Sequence, residues 1–185
     1  DIFEGDQLTP EFGRINPNHK LPAIVDRAPD GAEEPIVVFE SCAVLQYLAE
    51  KSGQLLAPSG AERATVLSWL TWQAAGLGPM GGQLSHFTRY APAGQEYAVE
   101  RYSREMGRLL AVLEKRLNKS AYVGGDAYSI ADIAIWPGQA FAAAMGRLNA
   151  YPAMVDWVER IRARPAVERV LTSIELKAPE KYLGR

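Results

Sequence analysis

Ile36-Val37-Val38-Phe39-Glu40-Ser41 joins an apolar run to an acid and a hydroxyl, and a helix is expected to begin directly behind it, near Cys42. The β-branched and aromatic run predicts a short strand. A helix start offers free backbone N–H groups and a positive dipole end, which with the Ser41 hydroxyl suit a carboxylate. Glu40 suits an ammonium. A ligand carrying both groups on one carbon, as an amino-acid terminus does, satisfies the pair.

Upstream lies Asn18-His19-Lys20-Leu21-Pro22-Ala23-Ile24-Val25-Asp26. Pro22 has no N–H for a sheet ladder, so its place at the mouth of an apolar run marks an edge or a strand start. A cis Leu21-Pro22 bond is expected, turning the Leu21 N–H and C=O outward, where an extended peptide can pair as an added strand.

Composition sets the class. The chain has 185 residues, 48% of them apolar and 23% charged, enough for a sizeable core. A net charge of −2 gives no electrostatic footprint for nucleic acid or an anionic membrane. No apolar run is long enough to span a bilayer, so neither a nucleic-acid nor a membrane partner is expected. The single cysteine, Cys42, rules out an internal disulfide and fits a reducing, cytoplasmic setting. His19 and His86 stand apart, in no spacing suited to a metal site or a triad, and are taken as loop and surface residues.

The pattern changes near residue 52. Before it, Pro22–Val25 and Ile36–Phe39 flank the turn signal Arg27-Ala28-Pro29-Asp30-Gly31, which predicts an antiparallel hairpin followed by a helix. Ser52-Gly53 stops that helix, and residues 53–61, with Pro58 and Gly60, form a linker. From there the pattern is helical. Val99, Tyr102, Met106, Leu109, Leu113 and Leu117 fall at three- and four-residue spacing on one amphipathic helix over 97–117. Ala64–Ala75 forms another, which the Gly76–Gly82 stretch with Pro79 is expected to kink or end. The polar tail from Lys177 to Arg185 is expected to be loosely held.

Ser129-Ile130-Ala131-Asp132 is an acidic variant of the capping box. Ser129 is placed to accept from the third helical N–H while Asp132 reaches back to the Ser129 N–H. With Ile133, Ala134, Ile135 and Trp136 behind it, the motif predicts a buried core helix and a structural role only.

The segments Lys20–Asp26 and Phe39–Lys51 together resemble the glutathione site of cytosolic glutathione transferases, most nearly the bacterial nu-class branch, associated with glutathione-dependent disulfide-bond reduction. Trp69-Leu70-Thr71-Trp72-Gln73, Gly76-Leu77-Gly78-Pro79-Met80, Glu100-Arg101-Tyr102, Tyr128–Asp132 and Arg160–Pro165 carry the likeness over nearly the whole chain. It implies an α/β thioredoxin-like domain over 1–52 and an all-helical bundle over 62–185. Family members begin with a strand and helix bearing the residue that contacts the glutathione sulfur. This sequence starts at Asp1-Ile2-Phe3-Glu4, where the second strand would be ending, so the catalytic residue is expected in that preceding segment.

The resemblance implies a glutathione site built from Gln7, Lys20, Leu21, Pro22, Glu40, Ser41 and Arg101. Lys20 and Gln7 would meet the glycine end, although a solvated lysine and a loop glutamine are the plain alternatives. Arg101 would reach the ligand from its helix, or else solvate that helix's polar face. Trp69, Trp72, Phe87 and Tyr90 either wall a second-substrate pocket or belong to the core. Cys42 is expected to pack into the fold rather than act as a nucleophile. The implied activity is glutathione-dependent transfer or, preferably, disulfide reduction by a homodimer using reduced or oxidised glutathione, without a metal, on a small electrophile or disulfide. The alternative is a non-catalytic glutathione-binding or interaction module.

Overall fold

The structure, a computed structural model, describes residues 1–173, so the Lys177–Arg185 tail lies outside the described residues. The chain divides between Pro58 and Ser59 into two compact units.

The first unit opens with a single 3₁₀ turn, Asp6–Leu8, and a short helix, α1 (Pro10–Ile15). Thr9 caps α1 by accepting from the Phe12 N–H at 3.2 Å, and Pro10 occupies the first turn, where its missing N–H is no loss. Strands β1 (Ala23–Asp26) and β2 (Ile36–Phe39) pair antiparallel, with Ala23 opposite Phe39 and Asp26 opposite Ile36. The expected hairpin is present; β1 begins one residue later than the apolar run, because Pro22 cannot enter the ladder. Helix α2 (Ser41–Ser52) buries Val44 and Ala49. It stops where Gly53 turns left-handed at φ 66°, with the Gln54 N–H returning to the Ala49 carbonyl at 3.1 Å.

Asp26, at the end of β1, fastens the hairpin to α2. It ion-pairs with Lys51 and accepts from the Tyr47 hydroxyl at 2.6 Å, while Lys51 Nζ also donates to the Ala28 carbonyl at 2.8 Å. The Lys51 and Tyr47 bonds hold the Asp26 carboxyl down at about 2. Donating to that carboxylate pushes the Tyr47 hydroxyl up to about 12.

The second unit is helical: α3 (Gly60–Trp72), a wide π turn (Gln73–Leu77), α4 (Gly78–Arg89), α5 (Glu96–Leu117), α6 (Ile130–Ala144), α7 (Pro152–Arg162) and α8 (Pro165–Ser173). Leu109, Leu113, Val123, Ile135, Met154 and Trp157 form the centre of its core. Trp69 and Trp72 pack against that core and meet each other edge to face with ring centroids 5.1 Å apart, which places both on the core side of the alternative. Helix α3 ends at Trp72, just ahead of the Gly76–Gly82 stretch expected to kink or end it, and a π turn leads on into α4. Proline sits in the first turn of α4, and the π turn ahead of it sends the Gly78 N–H to the Gln73 carbonyl, absorbing the missing donor.

The capping box is present at α6 and its acid does more than cap. Asp132, wholly buried, accepts from the Ser129 N–H at 3.0 Å and the Ser129 hydroxyl at 2.9 Å. It also takes the Val123 N–H and Trp157 Nε1 at 2.9 Å each, tying the preceding loop and α7 to α6. Glu114 on α5 plays a comparable part, accepting from the Ala153 and Met154 N–H groups at 3.0 and 2.9 Å and so capping the start of α7 from another helix.

Candidate functional site

Lys20, Leu21, Pro22, Glu40 and Ser41 come together in the first unit around a cleft of about 130 Å³, joined by Asn16 and Asn18. The Leu21-Pro22 peptide bond is cis, as expected, and Leu21 is exposed. Glu40 stands between β2 and α2 with φ at 70°, a left-handed conformation uncommon for a residue with a Cβ and typical of sites where the fold imposes it. Its carbonyl accepts from the Val44 N–H at 2.9 Å to start α2, while its carboxylate remains at the surface. Ser41 follows as the first helical residue, also exposed, and the Glu40 side chain ahead of it makes no capping bond to α2. The first turn of α2 therefore offers N–H groups and a hydroxyl beside an acid.

Two asparagines that sequence reasoning passed over build the other wall. Asn16 is 1% exposed; its Nδ2 donates to the Lys20 carbonyl at 2.7 Å and its Oδ1 accepts from the Asn18 N–H at 2.9 Å. Asn18 Nδ2 then reaches Glu40 Oε1 at 3.3 Å. The sequence signal was the Asn16-Pro17-Asn18 cluster, a turn composition whose side chains bond backbone locally.

His19 lies in a loop, as expected, and ties two segments together. At φ 54° it is half-buried, and its Nδ1 bonds the Gln7 carbonyl at 2.8 Å, linking the 3₁₀ turn to the cleft loop. The ring lies where a side chain on Gly13 would collide, 2.8 Å from an ideal Cβ, so α1 needs glycine there. Gln7 is not among the cleft-lining residues; its Oε1 is buried with no hydrogen-bond partner among the described residues. Arg101 lies in the second unit, at an exposed position on α5.

Cys42 is half-buried behind Ser41. Burial raises its thiol above the usual range, and the Glu40 charge adds to the rise against an opposing Ser41 hydrogen bond. Among the other aromatics left open, Phe87 stacks on Tyr102 at 5.5 Å and Tyr90 is exposed. Among the described residues no group of His, Cys, Asp or Glu is arranged to hold a metal ion, and no helix is long and apolar enough to cross a membrane.

The cleft can hold an α-amino acid end against Glu40 and Ser41 and an extended backbone against Leu21. Comparison with known proteins gives the family. The profile of the glutathione S-transferase N-terminal domain matches residues 1–51, and that of the C-terminal domain matches residues 75–165. The chain is 51% identical over 177 residues to the disulfide-bond oxidoreductase YfcG of Escherichia coli (strain K12), over 95% of this chain and 82% of that protein. A crystal structure of a glutathione transferase family member from Pseudomonas fluorescens Pf-5, with two glutathione bound, superposes with a TM-score of 0.85 at 39% identity, over 92% of this chain and 78% of that one. A glutathione transferase from Pseudomonas putida, with one glutathione disulfide bound per subunit, gives a TM-score of 0.85 at 36% identity, covering 96% and 79%.

Proposed function

Because the chain belongs to the glutathione transferase family, we propose that its cleft binds glutathione and that the protein serves in glutathione-dependent reduction of disulfides. The observation that carries this reading is the meeting of Leu21, Glu40 and Ser41 around one cleft. In it, the γ-glutamyl carboxylate lies on the Ser41 hydroxyl and the first N–H groups of α2, and its ammonium faces Glu40. The cysteinyl backbone pairs with the Leu21 N–H and C=O as an added strand. Lys20 meets the glycine carboxylate.

Glutathione supplies the thiol chemistry: two molecules reduce one disulfide, releasing two thiols and one glutathione disulfide. The protein's contribution is binding and orientation. Relatives whose structures hold glutathione or glutathione disulfide, and a relative named for disulfide-bond oxidoreduction, support this assignment. Calorimetric titration with reduced glutathione, followed by turnover of a small model disulfide, tests it. Saturable binding that Glu40→Gln weakens, together with turnover, is the expected result; binding without turnover reassigns the chain as a glutathione-binding module, and no binding ends the reading.

A further inference from the structure

The loop that leads into the cleft turns on His19, and the imidazole is held by two other segments. The turn from Asn16 closes with the His19 N–H on the Asn16 carbonyl at 3.0 Å, and His19 itself stands at φ 54°. A left-handed backbone bends the chain at that point, and the next two residues, Lys20 and Leu21, line the cleft.

The ring reaches back to the start of the unit. A carbonyl only accepts, so His19 Nδ1 carries the proton and donates to Gln7 at 2.8 Å, tying the loop to the 3₁₀ turn. The ring also rests on α1. Gly13 presents no side chain there, and a Cβ at that position would stand 2.8 Å from His19 Cε1 and 3.3 Å from Nε2. Glycine inside a helix ordinarily weakens it. Here it leaves the room in which the imidazole sits while it bonds Gln7.

The residue next to this anchor is a lysine. Lys20 is exposed at the cleft, its carbonyl takes Asn16 Nδ2 at 2.7 Å, and its ammonium forms no ion pair among the described residues. A long side chain loses rotamer freedom when it meets a carboxylate, so a backbone already fixed in place preserves more of the pairing energy. Two bonds fix that backbone: the Asn16 amide on the lysine carbonyl, and the His19 ring one residue before it.

Resting on the glutathione reading of the cleft, we propose that His19 is a positioning residue: its ring, seated on Gly13 and bonded to Gln7, sets Lys20 where the glycine carboxylate of the ligand arrives. It acts through Lys20 and not on the ligand itself.

Calorimetric titration of the whole chain with reduced glutathione tests this on His19→Gly, His19→Asn, Lys20→Met and the double variant His19→Gly, Lys20→Met, each with unchanged circular dichroism. Glycine accepts the left-handed backbone and removes the ring, and should weaken binding about tenfold. Asparagine also accepts that backbone and carries an N–H donor at the δ position, so His19→Asn should stay within about threefold of the unaltered chain. The double variant should bind no worse than Lys20→Met alone, because both changes remove one interaction. Gly13→Ala, which crowds the ring from α1, should also weaken binding, and should cease to do so in the His19→Asn background; it carries the test if His19→Gly fails to fold. Unchanged affinity in folded His19→Gly or Gly13→Ala, no rescue by His19→Asn, or losses that add in the double variant overturn the proposal. If the unaltered chain binds no glutathione, the cleft reading falls and the role of His19 with it; if Lys20→Met weakens binding and His19→Gly does not, the role of His19 alone falls.

Discussion

Asn18 and Glu40, 22 residues apart, are joined by a 3.3 Å hydrogen bond from the asparagine amide to the glutamate carboxylate. That bond holds one oxygen of the acid that lines the cleft among the described residues and leaves the other available. Glu40→Gln removes the charge while keeping the shape, and should weaken glutathione binding by about 1–3 kcal/mol through loss of a charge-assisted bond. Asn18→Ala should cost less, because it disturbs only the orientation of the acid. Calorimetry on variants with unchanged circular dichroism checks both; unchanged affinity in Glu40→Gln removes the residue from the site.

Cys42 tests whose thiol does the chemistry. It is half-buried and its thiol is raised above the usual range, the reverse of an activated nucleophile. Cys42→Ser should keep most of the glutathione-dependent turnover of a small disulfide. A loss of about a hundredfold or more with folding intact would make Cys42 the nucleophile.

In the helical unit, Ser129→Ala should destabilise by about 0.5–2 kcal/mol. Asp132→Ala should cost about 3 kcal/mol or more, since it strands the Trp157 indole and the Val123 N–H together. Denaturant melts give both values. Glutathione affinity should hold in the folded fraction, and an affinity loss at constant stability would show that the motif acts on the ligand.

Asp26 and Tyr47 predict opposite pH limbs for the first unit. The folded Asp26 carboxyl, at about 2, lies below its ordinary value of 3.8, so its contribution is fully present above pH 4 and is lost as pH falls toward 2. The folded Tyr47 hydroxyl, at about 12, lies above its ordinary value of 10.0, so that contribution is present below pH 10 and is lost as pH rises through 12. Urea midpoints measured against pH should show both slopes; Tyr47→Phe should flatten the alkaline limb and Asp26→Asn the acid one.

Assembly is a further expectation from the family likeness, in which twofold pairing is common. Light scattering at micromolar concentration should report about twice the chain mass of 20.3 kDa, and a monomer would contradict it.

Features written in neighbouring residues were visible in the sequence. The strand ending at Phe39, the helix behind Ser41, the stop at Gly53 and the box from Ser129 to Asp132 each depend on a few consecutive positions, where propensity and capping act directly. Bonds that close over distance were not. Glu114 capping α7 from 39 and 40 residues away, Trp157 reaching Asp132, and Lys51 meeting Asp26 across the hairpin leave no periodic trace. At the cleft, Leu21, Pro22, Glu40 and Ser41 were singled out from type and order and Lys20 through the family likeness, whereas Asn16 and Asn18 act through side-chain bonds to particular backbone atoms. The π turn escaped for a related reason: proline in a helical pattern signals a break, and whether a neighbouring turn widens to accept it depends on packing.

The two bonds Asn16 makes, to the Lys20 carbonyl and the Asn18 N–H, have a thermodynamic consequence for recognition. They order the loop before any ligand arrives, so its entropy is lost on folding and not again on association. A variant such as Asn16→Ala would shift that ordering cost onto the binding step. Its signature would be calorimetric, a less favourable entropy of association with the enthalpy of the remaining contacts largely kept.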